Sequence, residues 1–318
     1  MALIQVQVRR KSVVAQDIAS FELIRTDGAT LPSFTAGAHI DVHTPAGVVR
    51  QYSLINHEKS SDFYQIAVLL DPNSRGGSHS MHADIQEGQT LFISEPRNHF
   101  PLRSAERTVL IAGGIGITPL LCMAYQLADK GANFALHYCT RSLDRTAFRE
   151  EIASASWSKQ VFLHLDDGPA EQRLNLATAI GTSSVGTQIY ICGPSGFIDW
   201  VMKAADAQGF PREHIHVEHF SAALQATPQD RAFTVRIAST GQDIVVSPNQ
   251  TVVEALGIHG IDVITSCEQG VCGTCTTRVL EGICDHRDLL LSEEEKARHD
   301  QFMPCCSRAT SDRLILDL

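Results

Sequence analysis

The amino-acid sequence predicts a multidomain chain: an antiparallel β-barrel, then an α/β domain with a parallel sheet, then a small β-grasp domain. Three observations predict this. Up to about residue 102 the sequence runs in short alternating stretches broken by Gly, Pro, Asn and Asp. From 108 to 220 a wholly apolar strand opens an alternation of strands and helical stripes. Beyond 232, two strands and a short helix precede a cysteine-rich loop. At 318 residues the chain is too long for one ordinary core. The expected boundaries are 1–103, 104–222, a linker at 223–231, and 232–318.

Composition narrows the function classes. With 43% hydrophobic and 19% charged residues, the chain reads as globular. A formal net charge of -10 argues against non-specific nucleic-acid binding and against an anionic membrane surface. No apolar run is long enough to span a bilayer, and the N-terminus alternates like a strand with no apolar signal core. A cytoplasmic location is expected, where the nine cysteines serve as ligands or core residues.

In the first domain, strands are expected at 4–10, 20–25, 39–43, 48–55, 64–70 and 90–94. In Arg50-Gln51-Tyr52-Ser53-Leu54, alternation places Arg50, Tyr52 and Leu54 on one face and Ser53 on the other. Arg75-Gly76-Gly77-Ser78 leads into a short helical pattern, and two glycines and a serine there can cradle a phosphate. Taken singly, the first is an ordinary strand and the second a common turn.

The second domain opens with an apolar strand at 108–112, then Gly113-Gly114-Ile115-Gly116-Ile117-Thr118-Pro119. A helical stripe of Leu120, Leu121, Ala124, Leu127 and Ala128 follows and stops at Gly131. Buried strand, glycine turn and helix make a nucleotide-binding βα unit, although G-x-G-x-x-G is not matched. Further strands are expected at 134–139, 161–165 and 188–192, with helices at 145–153 and 198–208. Ligands of such a domain sit at the carboxyl ends of its strands. Cys192-Gly193-Pro194 ends one of them, and His216-Val217-Glu218-His219-Phe220 forms the closing strand.

In the third domain, strands are expected at 233–239, 243–246 and 276–281, with a last edge at 314–316 and a helix at 251–259. Ser292-Glu293-Glu294-Glu295 reads as a capped helix start. Cys267, Cys272 and Cys275 stand at C-x4-C-x2-C, the plant-type ferredoxin spacing for a [2Fe–2S] cluster held by four thiolates. Gly270 and Gly273 supply the tight turns such a loop needs. A zinc site would favour two C-x2-4-C knuckles, and only one is present. Cys284-Asp285-His286 has the Cys-x-His of a Rieske site without its second half, so Cys284 reads as structural. The fourth ligand is Cys305 or the adjacent Cys306.

Arg50-x-Tyr52-Ser53, Gly113-Gly114-x-Gly116-x-Thr118-Pro119, Cys192-Gly193-Pro194 and the terminal cysteine set, in that order, closely resemble the phthalate dioxygenase reductase family of the ferredoxin–NADP reductase superfamily. The resemblance implies an FMN barrel, an NADH domain and a ferredoxin domain. It implies that Arg50 pairs with the flavin phosphate, Tyr52 packs on the isoalloxazine and Ser53 bonds near N5. Leu54, Ala67, Gly76, Gly77, Ser78 and Thr118 complete the FMN site, with Phe220 over the ring. Gly113, Gly114, Thr118, Pro119, Arg141, Asp166, Asp167, Cys192, Gly193 and Pro194 would contact NADH. Ser53, Thr118 and Cys192 would stand at the reacting centre. The x-Ser-Arg that follows selects Cys305 as the fourth cluster ligand. A carboxylate at Asp166 or Asp167 would accept from ribose hydroxyls and repel a 2′-phosphate, favouring NADH, while Arg141 argues the other way.

The implied activity takes a hydride from NADH and delivers single electrons through the cluster. The implied acceptor is the Rieske centre of a separate aromatic-ring oxygenase of phthalate dioxygenase or vanillate demethylase type, and the chain is expected to be monomeric. Glu268 and Gln269 are docking candidates beside the cluster. The competing readings are a reductase feeding another acceptor, and a redox sensor reporting through Cys305 and Cys306.

Overall fold

The computed structural model describes residues 3–60, 62–72, 76–183, 186–220, 230–265, 268 and 270–318. The chain divides into two compact units, Met1–Glu218 and His219–Leu318. The first unit contains both the expected barrel and the expected parallel-sheet domain.

The barrel strands are β1 (Ile4–Ala15), β2 (Ile18–Arg25), β3 (His39–His43), β4 (Val49–Ser53), β5 (Tyr64–Leu69) and β6 (Thr90–Ile93), with α1 (Gly77–Ala83) before β6. Their order is β4-β3-β6-β1-β2-β5, and every pairing is antiparallel. The Ile55 amide donates to the Gln65 carbonyl at 2.9 Å, joining the two ends of that order and curling the sheet into a barrel. Alternate residues Val6, Val8, Phe21, Leu23, Ile40, Val42, Ile66 and Ile93 are buried. β1 runs five residues beyond its expected end at 10. Register shifts after Val8 and Val13 break the alternation, yet the ladder with β2 continues to Ala15 opposite Ile18. Asp17, at φ 62, makes the turn.

The parallel sheet comprises β7 (Arg107–Gly113), β8 (Phe134–Thr140), β9 (Val161–Leu165), β10 (Thr187–Cys192) and β11 (Ile215–Glu218), in the order β11-β10-β7-β8-β9. α2 (Ile117–Asp129) buries Leu120, Leu121 and Ala124 completely. α3 (Arg149–Ser154) starts four residues later than expected. Tyr138 Oη first accepts from the Ala147 amide at 3.1 Å, and Phe148 adopts a left-handed φ of 59. α4 (Leu176–Ile180) was not expected, because five residues carry too little periodicity. α5 (Ser195–Ala207) begins directly after Pro194. Leu176, Ile180, Ile198 and Val201 from α4 and α5 share a core with Val109, Ile111, Ile189 and Ile191 of the sheet.

In the second unit, β12 (Phe233–Ile237), β13 (Asp243–Val246), β14 (Thr277–Glu281), β16 (Gln301–Phe302) and β18 (Arg313–Leu316) form a sheet in the order β13-β12-β18-β14-β16. The short β15 (Cys284–Asp285) and β17 (Arg308–Ala309) pair separately. α6 (Val252–Ile258) is closed by a capping box from Thr251 and Glu254, and α7 (Glu293–Arg298) by one from Ser292 and Glu295. The expected last edge is instead the central strand: β18 lies parallel to β12 and antiparallel to β14. A parallel partner distant in sequence leaves no local signal.

Of the expected linker, 223–229 lies outside the described residues. Asp230 is packed into the second unit, with 4% of its side chain exposed and ion pairs to Arg287 and Arg308. No helix among the described residues is long and apolar enough to cross a membrane.

Candidate functional site

The turn before α1 comes to lie against β4. A Cβ on Gly77 would sit 2.7 Å from Arg50 Cγ and 3.0 Å from Arg50 Nε, so only glycine lets the guanidinium stem pass. Gly76 precedes it at φ 96, and Ser78 Oγ accepts from the Asp71 amide at 3.2 Å. α1 has only seven residues and a weak dipole, so the anion-attracting group here is the Arg50 guanidinium. Arg75 is outside the described residues. Tyr52 is half-buried, and burial pushes its hydroxyl above the ordinary value. Leu54 and Ala67 are buried on β4's continuation and on β5. A buried cation beside a glycine-lined turn, with an aromatic on the same strand, suits a flavin phosphate and ring.

The ends of β7, β10 and β11 meet the end of β4. Order β10-β7-β8 places a topological switch point at β7, with Gly113 and Cys192 at the carboxyl ends of the neighbouring strands β7 and β10. Three glycines allow that crevice to be lined by backbone. A Cβ on Gly116 would meet the Cys192 carbonyl oxygen at 2.2 Å, and one on Gly193 would meet Gly113 Cα at 3.1 Å and Phe197 Cδ1 at 2.9 Å. Thr118 is buried and donates to the Ile115 carbonyl at 3.1 Å, and Pro119 beside it is also buried. Pro194 caps α5.

Ser53 Oγ donates to Glu218 Oε2 at 3.5 Å. Burial pushes the Glu218 carboxyl up to about 8, against the opposing pull of the Ser53 hydrogen bond. Glu218 pairs in register with Cys192, whose thiol burial and the neighbouring carboxylate raise well above its usual range. The Ser53 hydroxyl and the Glu218 carboxyl therefore meet on the strand next to Cys192. Gly116 stands in the glycine motif without a role of its own, and no local pattern distinguishes Glu218 from any strand residue.

Arg141, Asp166 and Asp167 are exposed together at the ends of β8 and β9. The Asp166 and Asp167 amides donate to the Thr140 and Arg141 carbonyls at 3.0 and 3.1 Å. They form a polar rim two strands from the switch point. Phe220 lies two residues beyond β11 and belongs to the second unit. A separate groove of about 710 Å³ runs between β1, β2 and residues 143–151, and no expected site residue lines it.

In the second unit, Cys275 and Cys305 are buried and their sulfurs share a hydrogen bond. That bond and burial hold the Cys275 thiol far above its usual range. The Gly270 amide points at the Cys305 sulfur, and the Thr274 amide donates to Cys272 Sγ at 3.5 Å. Gly270 and Gly273 adopt φ 71 and 73. Cys306 turns its sulfur to the Met303 carbonyl at 3.6 Å. Cys267 and Gln269 lie outside the described residues, and Glu268 adopts φ 52. Sulfurs gathered in a loop whose amides face them suit an iron–sulfur cluster.

Comparisons agree with this layout. A family model described as "2Fe-2S iron-sulfur cluster binding domain" matches residues 235–310, and one described as "Dimethylamine monooxygenase subunit DmmA-like, N-terminal domain" matches 97–215. The chain is 50% identical to a vanillate O-demethylase oxidoreductase of a Pseudomonas species, over 99% of this chain and 100% of the relative. It is 40% identical to phthalate dioxygenase reductase of Burkholderia cepacia, over 99% and 97%. Among solved structures, phthalate dioxygenase reductase, described as modular for electron transfer from pyridine nucleotides to [2Fe–2S], matches with TM-score 0.82 and 39% identity, covering 100% of this chain and 98% of that one.

Proposed function

Since the chain belongs to the phthalate dioxygenase reductase family, we propose that it carries electrons from NADH through FMN and a [2Fe–2S] cluster to the Rieske centre of an aromatic-ring oxygenase of vanillate demethylase type. The observation that carries this reading is the convergence of Ser53, Cys192 and Glu218, from the barrel and the parallel sheet, beside the switch point. Flavin, when bound, converts a two-electron hydride donor into one-electron transfers, which an iron–sulfur centre requires.

The protein's own contribution is binding, orientation and proton placement. Arg50 neutralises the phosphate, and Gly77 leaves the guanidinium its path. Ser53 presents its hydroxyl toward the ring edge, held by the Glu218 carboxyl. Gly113, Gly193 and Cys192 line the nicotinamide side with backbone and one small side chain. Thr118 spends its proton on Ile115, which leaves its oxygen as an acceptor. Asp166 and Asp167 favour NADH by repelling a 2′-phosphate. Cys267, Cys272, Cys275 and Cys305 hold the cluster, and the compact barrel suits FMN.

Anaerobic titration with NADH tests the cofactor order: flavin and cluster absorbance should both bleach. Reconstitution with vanillate and phthalate oxygenase components tests the partner. Turnover should be faster with the vanillate component. Equal or absent turnover with both would overturn that assignment.

A further inference from the structure

Cys284, His286 and His299 come together outside the cluster loop. Each offers one ligand atom, and the three atoms lie within 4.8 Å of one another. Cys284 opens β15 and is buried in the main core of the second unit, whereas Cys275, Cys305 and Cys306 form a different cluster. His299 caps the end of α7 at a left-handed φ of 52, and its Nδ1 accepts from the Cys284 amide at 3.3 Å. The two imidazoles stack at 5.6 Å with planes 16° apart.

His286 shows that packing alone is insufficient. Only 6% of its side chain is exposed, and neither ring nitrogen has a hydrogen-bond partner among the described residues. Buried imidazoles ordinarily satisfy at least one nitrogen. The fully buried Asp288 carboxylate stands 3.6 Å from His286 Nδ1, just beyond hydrogen-bond reach. A slight rotation would make it the outer partner that orients a ligating histidine and leaves Nε2 free.

We propose that Cys284, His286 and His299 form a second metal site that takes one Zn²⁺, separate from the iron–sulfur cluster. One thiolate and two imidazoles are borderline-soft donors suited to tetrahedral zinc, with the fourth position left to water. On ligation the Cys284 thiol gives its proton to solvent, and each histidine ligates as the neutral imidazole. The ion would tie β15 to the end of α7.

The test uses the full-length, iron-loaded protein, stripped of loosely bound metal and exposed to equimolar ZnCl₂. Metal analysis should find one zinc per chain beside the cluster iron, and zinc-edge X-ray absorption should show one sulfur with nitrogen or oxygen neighbours. His286→Ala and His299→Ala should each weaken zinc binding by more than the ~10–100-fold cost of losing an outer partner, with iron content unchanged. Where a variant fails to retain iron, the wild-type absorption edge decides by itself. Three results would overturn the site: iron-loaded protein that retains no zinc, zinc in a four-sulfur shell, or unchanged zinc binding in both variants. The iron content reads the cluster independently, so this proposal can fail while the proposed function stands.

Discussion

Ser53, the last residue of β4, donates its hydroxyl to Glu218, the last residue of β11, at 3.5 Å and 165 residues apart in sequence. That contact is one of several joining the barrel to the parallel-sheet domain, and it lies beside the switch point. It also buries a carboxyl.

The buried carboxyl makes stability pH-dependent. Folding raises the Glu218 pKa from 4.5 to about 8, so between those values the unfolded chain ionises while the folded chain does not. The unfolded state then binds fewer protons, and stability falls as pH rises through that window. Glu218→Gln removes the effect. In calorimetry at fixed flavin, the variant's melting temperature should gain on the wild type from about pH 5 to about pH 8 and then hold its lead. A constant difference across pH would refute the assignment.

Gly77→Ala places a methyl 2.7 Å from Arg50 Cγ. The guanidinium stem must move, weakening a charge-assisted contact to the phosphate worth about 1.5–3 kcal/mol. FMN affinity should drop by ~10–100-fold on that scale, with cluster absorbance unchanged. Arg50→Ala should do the same, and flavin fluorescence on release measures both.

Cys305→Ser should abolish the cluster spectrum while NADH still reduces flavin. Cys306→Ala should keep the cluster, because its sulfur already faces the Met303 carbonyl. Loss of the cluster in Cys306→Ala with retention in Cys305→Ser would reverse the choice.

Asp230 is 4% exposed at its side chain and is gripped by Arg287, with Arg308 Nε 4.0 Å away. Removing Asp230 leaves Arg287 paired with Asp285 alone, at a cost below the about 3–5 kcal/mol of a fully broken buried pair. Asp230→Ala should therefore lower the denaturant midpoint of the second unit, followed by loss of cluster absorbance, while flavin release is unaffected.

Asp166→Ala should raise kcat/KM for NADPH by roughly 5–10-fold, the scale of about 1 kcal/mol of repulsion between solvated charges. Little change with NADH is expected. The steady-state ratio of the two nucleotides reads this directly.

Much of this was written locally. Period-two runs mark all six barrel strands, a wholly apolar run marks β7, strand–helix alternation marks β8 to β10, and C-x4-C-x2-C marks the cluster loop, because each leaves a short-range pattern. Where the pattern is too short or interrupted it leaves no mark: α4 has five residues, and β1 continues past a register shift after Val8.

The tertiary structure decided what lies side by side. β18 becomes the centre of its sheet only through pairing with β12, nearly eighty residues earlier. Gly116 must be glycine because the Cys192 carbonyl arrives against it. Glu218 acquires its raised pKa from burial beside Ser53, and a glutamate in a strand reads identically whether or not a barrel closes over it. Burial, close approach and charge coupling are sums over neighbours brought together by folding, and no window of sequence contains those neighbours.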